Sequence, residues 1–143
     1  MTTKGSSGIR REVVINYKNQ YPQSDCNLER GGLCLNAPLR NWLRVYVPQG
    51  SKLVKFDGSQ KTVKTYDSLG KTVFEGFMTV NPMGSAKVSI TYTLPDSIKS
   101  SDYNLLVQKQ AGNEDRQDLI ISIGGQKLYD GVFDKDKQYQ KSF

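Results

Sequence analysis

Apolar residues in this chain recur at every second position, and no stretch carries helical spacing. Ala86, Val88, Ile90, Tyr92 and Leu94 alternate with Lys87, Ser89, Thr91 and Thr93, the pattern of a strand with one dry face and one wet face. Just upstream, Phe74, Gly76, Met78 and Val80 fall on one side while Val73 and Phe77 fall on the other, which predicts a strand covered on both faces. Asn81-Pro82-Met83-Gly84-Ser85 joins the two: Pro82 presets φ at the second turn position, and Gly84 is placed to take a positive φ. The stretch Thr72 to Leu94 is therefore expected to form the central hairpin.

Further strands follow by the same criterion. Val13, Ile15 and Tyr17 alternate in Glu12 to Tyr17, and Leu43, Val45 and Val47 give Asn41 to Val47 a core side. Shorter strands are expected at Lys52 to Phe56 and Lys61 to Tyr66, joined by a hairpin turn at Asp57-Gly58. Tyr103 to Gln110, Leu119 to Ile123 and Lys127 to Phe133 complete the set, with Gly124-Gly125 as a tight turn between the last two. About nine short, regularly punctuated strands point to an all-β fold, and the mixture of one-sided and two-sided strands suits two packed antiparallel sheets. The expected architecture is an immunoglobulin-like β-sandwich over residues 11–133. Residues 1–10, small and polar, read as a flexible linker or a cloning remnant, and residues 134–143 as a fraying charged tail.

Composition narrows the setting. At 143 residues the chain has the length of one domain, and no run approaches the roughly 18 apolar residues that a membrane-spanning helix requires. A formal charge of +6 is compatible with anionic polymers, although no basic arm is present. Residues 20–38 form a long polar stretch without a strand pattern, containing Cys26, Cys34 and the pair Gly31-Gly32. Two cysteines with no histidine anywhere in the chain supply too few soft ligands for a metal, and their spacing is not that of a redox pair. A structural disulfide closing a nine-residue ring is the expected reading, and it implies an oxidising, extracytoplasmic compartment.

The absence of histidine also excludes Ser-His-Asp and Cys-His catalysis and histidine-ligated metalloprotease motifs. The acidic residues cluster at turns, where aspartate is favoured for backbone reasons, so no catalytic residues and no cofactor are expected. Glu114, Asp115 and Asp118 in one loop, with Asp134 and Asp136 in another, are weak candidates for calcium, because basic residues interrupt them and neither has EF-hand spacing. The sharper feature is Arg40, Trp42, Arg44 and Tyr46, which share the side of their strand opposite Leu43 and Val45. Aromatic rings there suit stacking on sugar rings and the guanidinium groups suit anions, while the bland alternative is that they simply cover the sheet.

Four segments carry a resemblance to a known family. They are Asn36 to Ser51 (NAPLRNWLRVYVPQGS), Leu69 to Phe77 (LGKTVFEGF), Tyr92 to Pro95 (YTLP) and Leu105 to Gly112 (LLVQKQAG). Together, over about residues 12–133, they resemble the C-terminal region of large membrane-anchored proteins of unknown function from uncultivated, small-genome bacteria. The resemblance implies an anchor upstream and a bulk outside the membrane, and it brings no catalytic residues with it. The expected function is a non-catalytic cell-surface module for spacing or interaction. The alternatives are a carbohydrate- or anionic-polymer-binding domain and an accessory domain of a cell-envelope enzyme. The expected partners are a surface glycan, an anionic polymer or a protein; a secreted setting disfavours nucleic acid, and membrane contact is expected only through an anchor outside these residues.

Overall fold

The computed structural model describes residues 2–5, 8–99, 103–109, 111 and 116–141. Among these the chain is all-β, with eleven strands and a single 3-10 turn at Leu28–Arg30. The strands are β1 (Thr2–Gly5), β2 (Gly8–Lys18), β3 (Leu39–Pro48), β4 (Lys52–Asp57), β5 (Lys64–Ser68), β6 (Lys71–Val80), β7 (Ser85–Thr93), β8 (Tyr103–Val107), β9 (Asp118–Ile123), β10 (Gln126–Val132) and β11 (Lys137–Lys141). The sheets are built on antiparallel pairing; a parallel bridge joins Thr2 of β1 to Ile123 of β9. The chain divides into two compact units, Glu12–Tyr92 and Met1–Arg11 with Thr93–Phe143.

In the Glu12–Tyr92 unit the strands run β2-β7-β4 in one sheet and β3-β6-β5 in the other. Phe74 and Tyr92 meet between the sheets at 5.7 Å between ring centroids, and Leu43, Phe56, Met78 and Val88 line one narrow seam there. Val73, Phe74, Met78, Val80, Val88 and Ile90 are almost wholly buried, so β6 is covered on both faces as its sequence predicts. Gly76 lets the two sheets close: a Cβ there would stand 2.7 Å from Cζ of Phe56.

The stretch expected to be a hairpin is instead a crossover. β6 pairs with β3 and β5, whereas β7 lies between β2 and β4. Each strand has both edges occupied by other partners, so neither is free to ladder with the other. The connecting turn is fastened elsewhere: Met83 N donates to Tyr21 O at 3.1 Å and Asn19 N donates to Gly84 O at 2.9 Å. Its left-handed residue is Met83, at φ 58°, rather than Gly84; glycine is needed at 84 because a Cβ would come 2.8 Å from Asn81 O.

Asp57-Gly58 departs from expectation in the same way. It does not join paired strands, since β4 neighbours β7 and β5 pairs with β6. Gly58 passes over β7 at φ 89°, and the chain then crosses to the other sheet, where Gln60 N donates to Phe77 O at 2.7 Å. The turn signal was real, but it marks a change of sheet.

The second unit carries the order β10-β9-β1-β2 together with a separate β8-β11 pair. Gly124-Gly125 closes the β9–β10 hairpin as expected, both glycines having positive φ. Among its described residues Ile9, Leu94, Ile121, Ile123 and Phe133 are buried apolar side chains. Both termini differ from the sequence reading. Residues expected to be linker form β1 and the start of β2, paired from Thr2↔Arg11 to Gly5↔Gly8, and residues expected to fray form β11, paired with β8 from Lys137↔Val107 to Lys141↔Tyr103. Both segments are stabilised by backbone pairing, which leaves little trace in a polar sequence.

Cys26 and Cys34 form a disulfide in the loop between β2 and β3. Around it the loop is ordered by its own polar groups. Ser24 N donates to Asn36 O, the Asn36 side-chain amide donates to Tyr21 O and Pro22 O, and the Asn27 carboxamide caps the 3-10 turn by accepting from Arg30 N. Leu28, Leu33 and Leu35 are all more than 70% exposed, so apolar burial contributes little to this order. The Cys26→Ser/Cys34→Ser double variant is accordingly expected to lose about 2.6 kcal/mol from ring-closure entropy, read from urea unfolding midpoints. Two thiols titrating in the unreduced, denatured native protein would contradict the disulfide itself.

Candidate functional site: the outer face of the β3-β6-β5 sheet

Register places the side chains of this face in cross-strand rows. β3 pairs with β6 through Trp42↔Phe77, Arg44↔Glu75 and Tyr46↔Val73, and β6 pairs with β5 through Glu75↔Lys64 and Val73↔Tyr66. An aromatic row of Trp42 and Phe77 therefore lies beside a charged row of Arg44, Glu75 and Lys64. Beyond that, Tyr46 and Tyr66 flank Val73. Rows on one face of a strand are about 6.8 Å apart, since side chains repeat every second residue. Arg40 with Thr79 and Lys71 with Pro48 form the end rows.

The four β3 residues singled out from sequence do share one exposed face, and their alternation with Leu43, Val45 and Val47 is what puts them there. Trp42 and Tyr46 are each 48% exposed. The Trp42 ring and the Arg44 guanidinium make separate contacts. The ammonium of Lys61, in the segment after Gly58, lies 5.2 Å from the Trp42 ring centroid and 5.0 Å from that of Phe77. Trp42 itself tilts against Phe77 at 5.0 Å and 58°. Arg44 instead donates from Nε to Oε2 of Glu75 at 2.6 Å, and Tyr66 donates its hydroxyl to the same oxygen at 3.0 Å.

Glu75 is the hinge of this arrangement, and sequence reasoning missed it along with Lys61, Lys64, Tyr66 and Phe77. The signal available was the two-sided pattern of β6, which requires whatever lies opposite Phe74 and Gly76 to be covered. Only 7% of Glu75 is exposed. The hydrogen bond from Arg44 holds its carboxyl below the ordinary carboxylate range, with Tyr66 acting in the same direction against the opposing effect of burial. Burial and then the bond to Glu75 raise the Tyr66 phenol, and the hydrogen bond to Glu75 raises the Arg44 guanidinium.

A carboxyl whose folded pKa is depressed contributes stability that is complete above its unfolded value, about 4.3, and lost as pH falls through the lower folded value. Glu75→Gln should therefore be less stable than the parent by a constant margin near neutral pH. That margin should shrink below about pH 4, when the parent carboxyl also becomes neutral. Urea midpoints collected across that range check it.

Glu114 and Asp115 lie outside the described residues, and Asp118 pairs with Arg116 at 3.1 Å. Asp134 pairs with Lys137 at 3.2 Å, and Oδ1 of Asp136 accepts from Lys109 N at 2.7 Å. Among the described residues no group of three His, Cys, Asp or Glu is arranged to hold a metal ion, and no helix is long and apolar enough to cross a membrane.

Fold and face together define an all-β protein that presents an aromatic and cationic sheet surface. No protein-family model, no curated protein and no solved structure matches this chain.

Proposed function

We propose that this chain is a non-catalytic interaction module working outside the cytoplasm, built as an immunoglobulin-like sandwich, and that it engages its partner through the outer face of β3-β6-β5. The observation that carries the reading is the half exposure of Trp42 and Tyr46 on either side of the Arg44–Glu75 pair. Large aromatics held in fixed positions yet left half in water are the usual anchors of a recognition surface.

Topology supports the sandwich. In an immunoglobulin fold the second, fifth and fourth strands are neighbours in one sheet, and the third and sixth pair in the other. Counted from β2 as the first strand, β3-β6-β5 and β7-β4 have those same neighbours, with β2 beside β7 in the place of that fold's seventh strand. The Cys26–Cys34 disulfide supports an oxidising setting, in keeping with the resemblance to membrane-anchored surface proteins. A non-catalytic role is supported by the lack of histidine and by Glu75 and Asp134, both held by cationic partners below the range that a general acid needs.

Trp42 is the only tryptophan of the chain, so its emission reports directly on this face. Titration with neutral and acidic oligosaccharides, peptides and lipid vesicles should produce a saturable change with at least one class. A flat response to every class would overturn the reading.

A further inference from the structure

From the charges and rings of this face we infer its ligand: an acidic glycan chain lying along β3, with sugar rings against Trp42 and Tyr46 and acid groups on Arg40, Arg44 and Lys61. The inference rests on the reading above and gives it a chemistry. By strand register Arg40, Arg44, Lys64 and Lys71 belong to this face, and Lys61 joins them over Trp42. The carboxylate among them, Glu75, is buried and already bonded to Arg44 and Tyr66. A surface with five cations around a single buried carboxylate is complementary to a polyanion.

Charge alone would not separate a sugar acid from any other anion; the order of the rows does. Along β3 the exposed side chains read cation, ring, cation, ring at about 6.8 Å steps, from Arg40 through Trp42 and Arg44 to Tyr46. In a chain of sugar acids every ring offers a C–H face and a carboxylate, so an extended chain can set rings against Trp42 and Tyr46 and carboxylates on the arginines between and beside them. Phe77 backs Trp42 from the neighbouring strand, which fixes the platform before ligand arrives. Arg44 engages Glu75 through Nε and its side chain is still 54% exposed, so it can pair with a ligand without abandoning the carboxylate. Lys61 rests over Trp42 by an exposed cation–π contact, a weak restraint that an incoming acid group can redirect.

Single-stranded nucleic acid also offers rings and charges to a surface of this kind. The Cys26–Cys34 disulfide favours the glycan, because it belongs to oxidising compartments, away from the reducing cytosol and nucleus where nucleic acid is concentrated.

The experiment compares three probes by Trp42 emission: a galacturonic acid oligomer, its fully methyl-esterified form, and a single-stranded oligonucleotide. The acid oligomer is expected to bind and to weaken steeply between about 0.05 and 0.5 M salt, with the ester at least tenfold weaker. Arg40→Ala/Lys61→Ala should lower affinity for the acid oligomer about tenfold, while its unfolding midpoint stays close to that of the parent, since both side chains are exposed. Equal binding of acid and ester, no binding of the acid oligomer, or tighter binding of the oligonucleotide would each overturn the inference. If peptides, vesicles or neutral sugars still move Trp42 while the acid oligomer does not, the acidic-glycan assignment falls and the interaction module stands.

Discussion

Replacing Phe74 with alanine is expected to cost about 3–5 kcal/mol, the range for removing a fully buried aromatic ring. Phe74 has no exposed surface, and its ring meets Tyr92 of the opposite sheet at 5.7 Å. It sits on β6, whose backbone is held on both sides by β3 and β5, so the strand cannot shift to fill the space. The transfer term and the cavity term therefore act together. A chain of this length should lose about 10 °C or more in Tm, by scanning calorimetry or circular dichroism. Phe74→Leu, which keeps most of the volume, should recover well over half of the loss. An alanine variant within about 1 kcal/mol of the parent would mean that the seam between the two sheets is looser than described.

Gly58→Ala comes next, at about 2–5 kcal/mol, although it adds only a methyl group. Two independent costs coincide there. The residue holds φ at 89°, where an L side chain is strained, and a Cβ would come 2.2 Å from Lys87 O of β7. That oxygen is backbone within a sheet and cannot rotate away. Gly70, also at positive φ, has nothing within 4 Å of an added Cβ, so Gly70→Ala carries the strain alone and is the natural control. Similar losses at the two positions would show that φ, and not the approach to β7, governs Gly58. The comparison bears on topology as well, because the approach exists only if β4 ends beside β7 and the chain then crosses to the other sheet.

The two central turns show where sequence reasoning reached its limit. Asn81 to Ser85 and Asp57-Gly58 both carry strong local turn chemistry, and both do reverse or redirect the chain. Turn chemistry is decided within a few residues. Whether the flanking strands then pair depends on which other strands occupy their edges, and those lie far away in sequence: β6 is taken by β3 and β5, and β7 lies between β2 and β4. The strands at the two termini escape the hydrophobic pattern for a related reason. β1 and β11 are held by backbone ladders, to which Thr2–Gly5 and Lys137–Lys141 contribute no apolar alternation.

By itself the sequence determined that the chain is all-β, which β3 residues face outward, that β6 is covered on two sides, and that Cys26 and Cys34 lie close enough along the chain to bridge. Each of these rests on a period of two or on short-range spacing, and local stereochemistry enforces both. Only the tertiary structure decided which strands are neighbours, that β6 and β7 belong to different sheets, and that Glu75, Lys61 and Tyr66 converge on the Arg40–Tyr46 ladder. Those pairings join residues far apart in sequence; Arg44 and Glu75, for one, are separated by 31 positions. They are selected by the simultaneous burial of every strand's apolar face, a condition on the whole chain that no single segment can express.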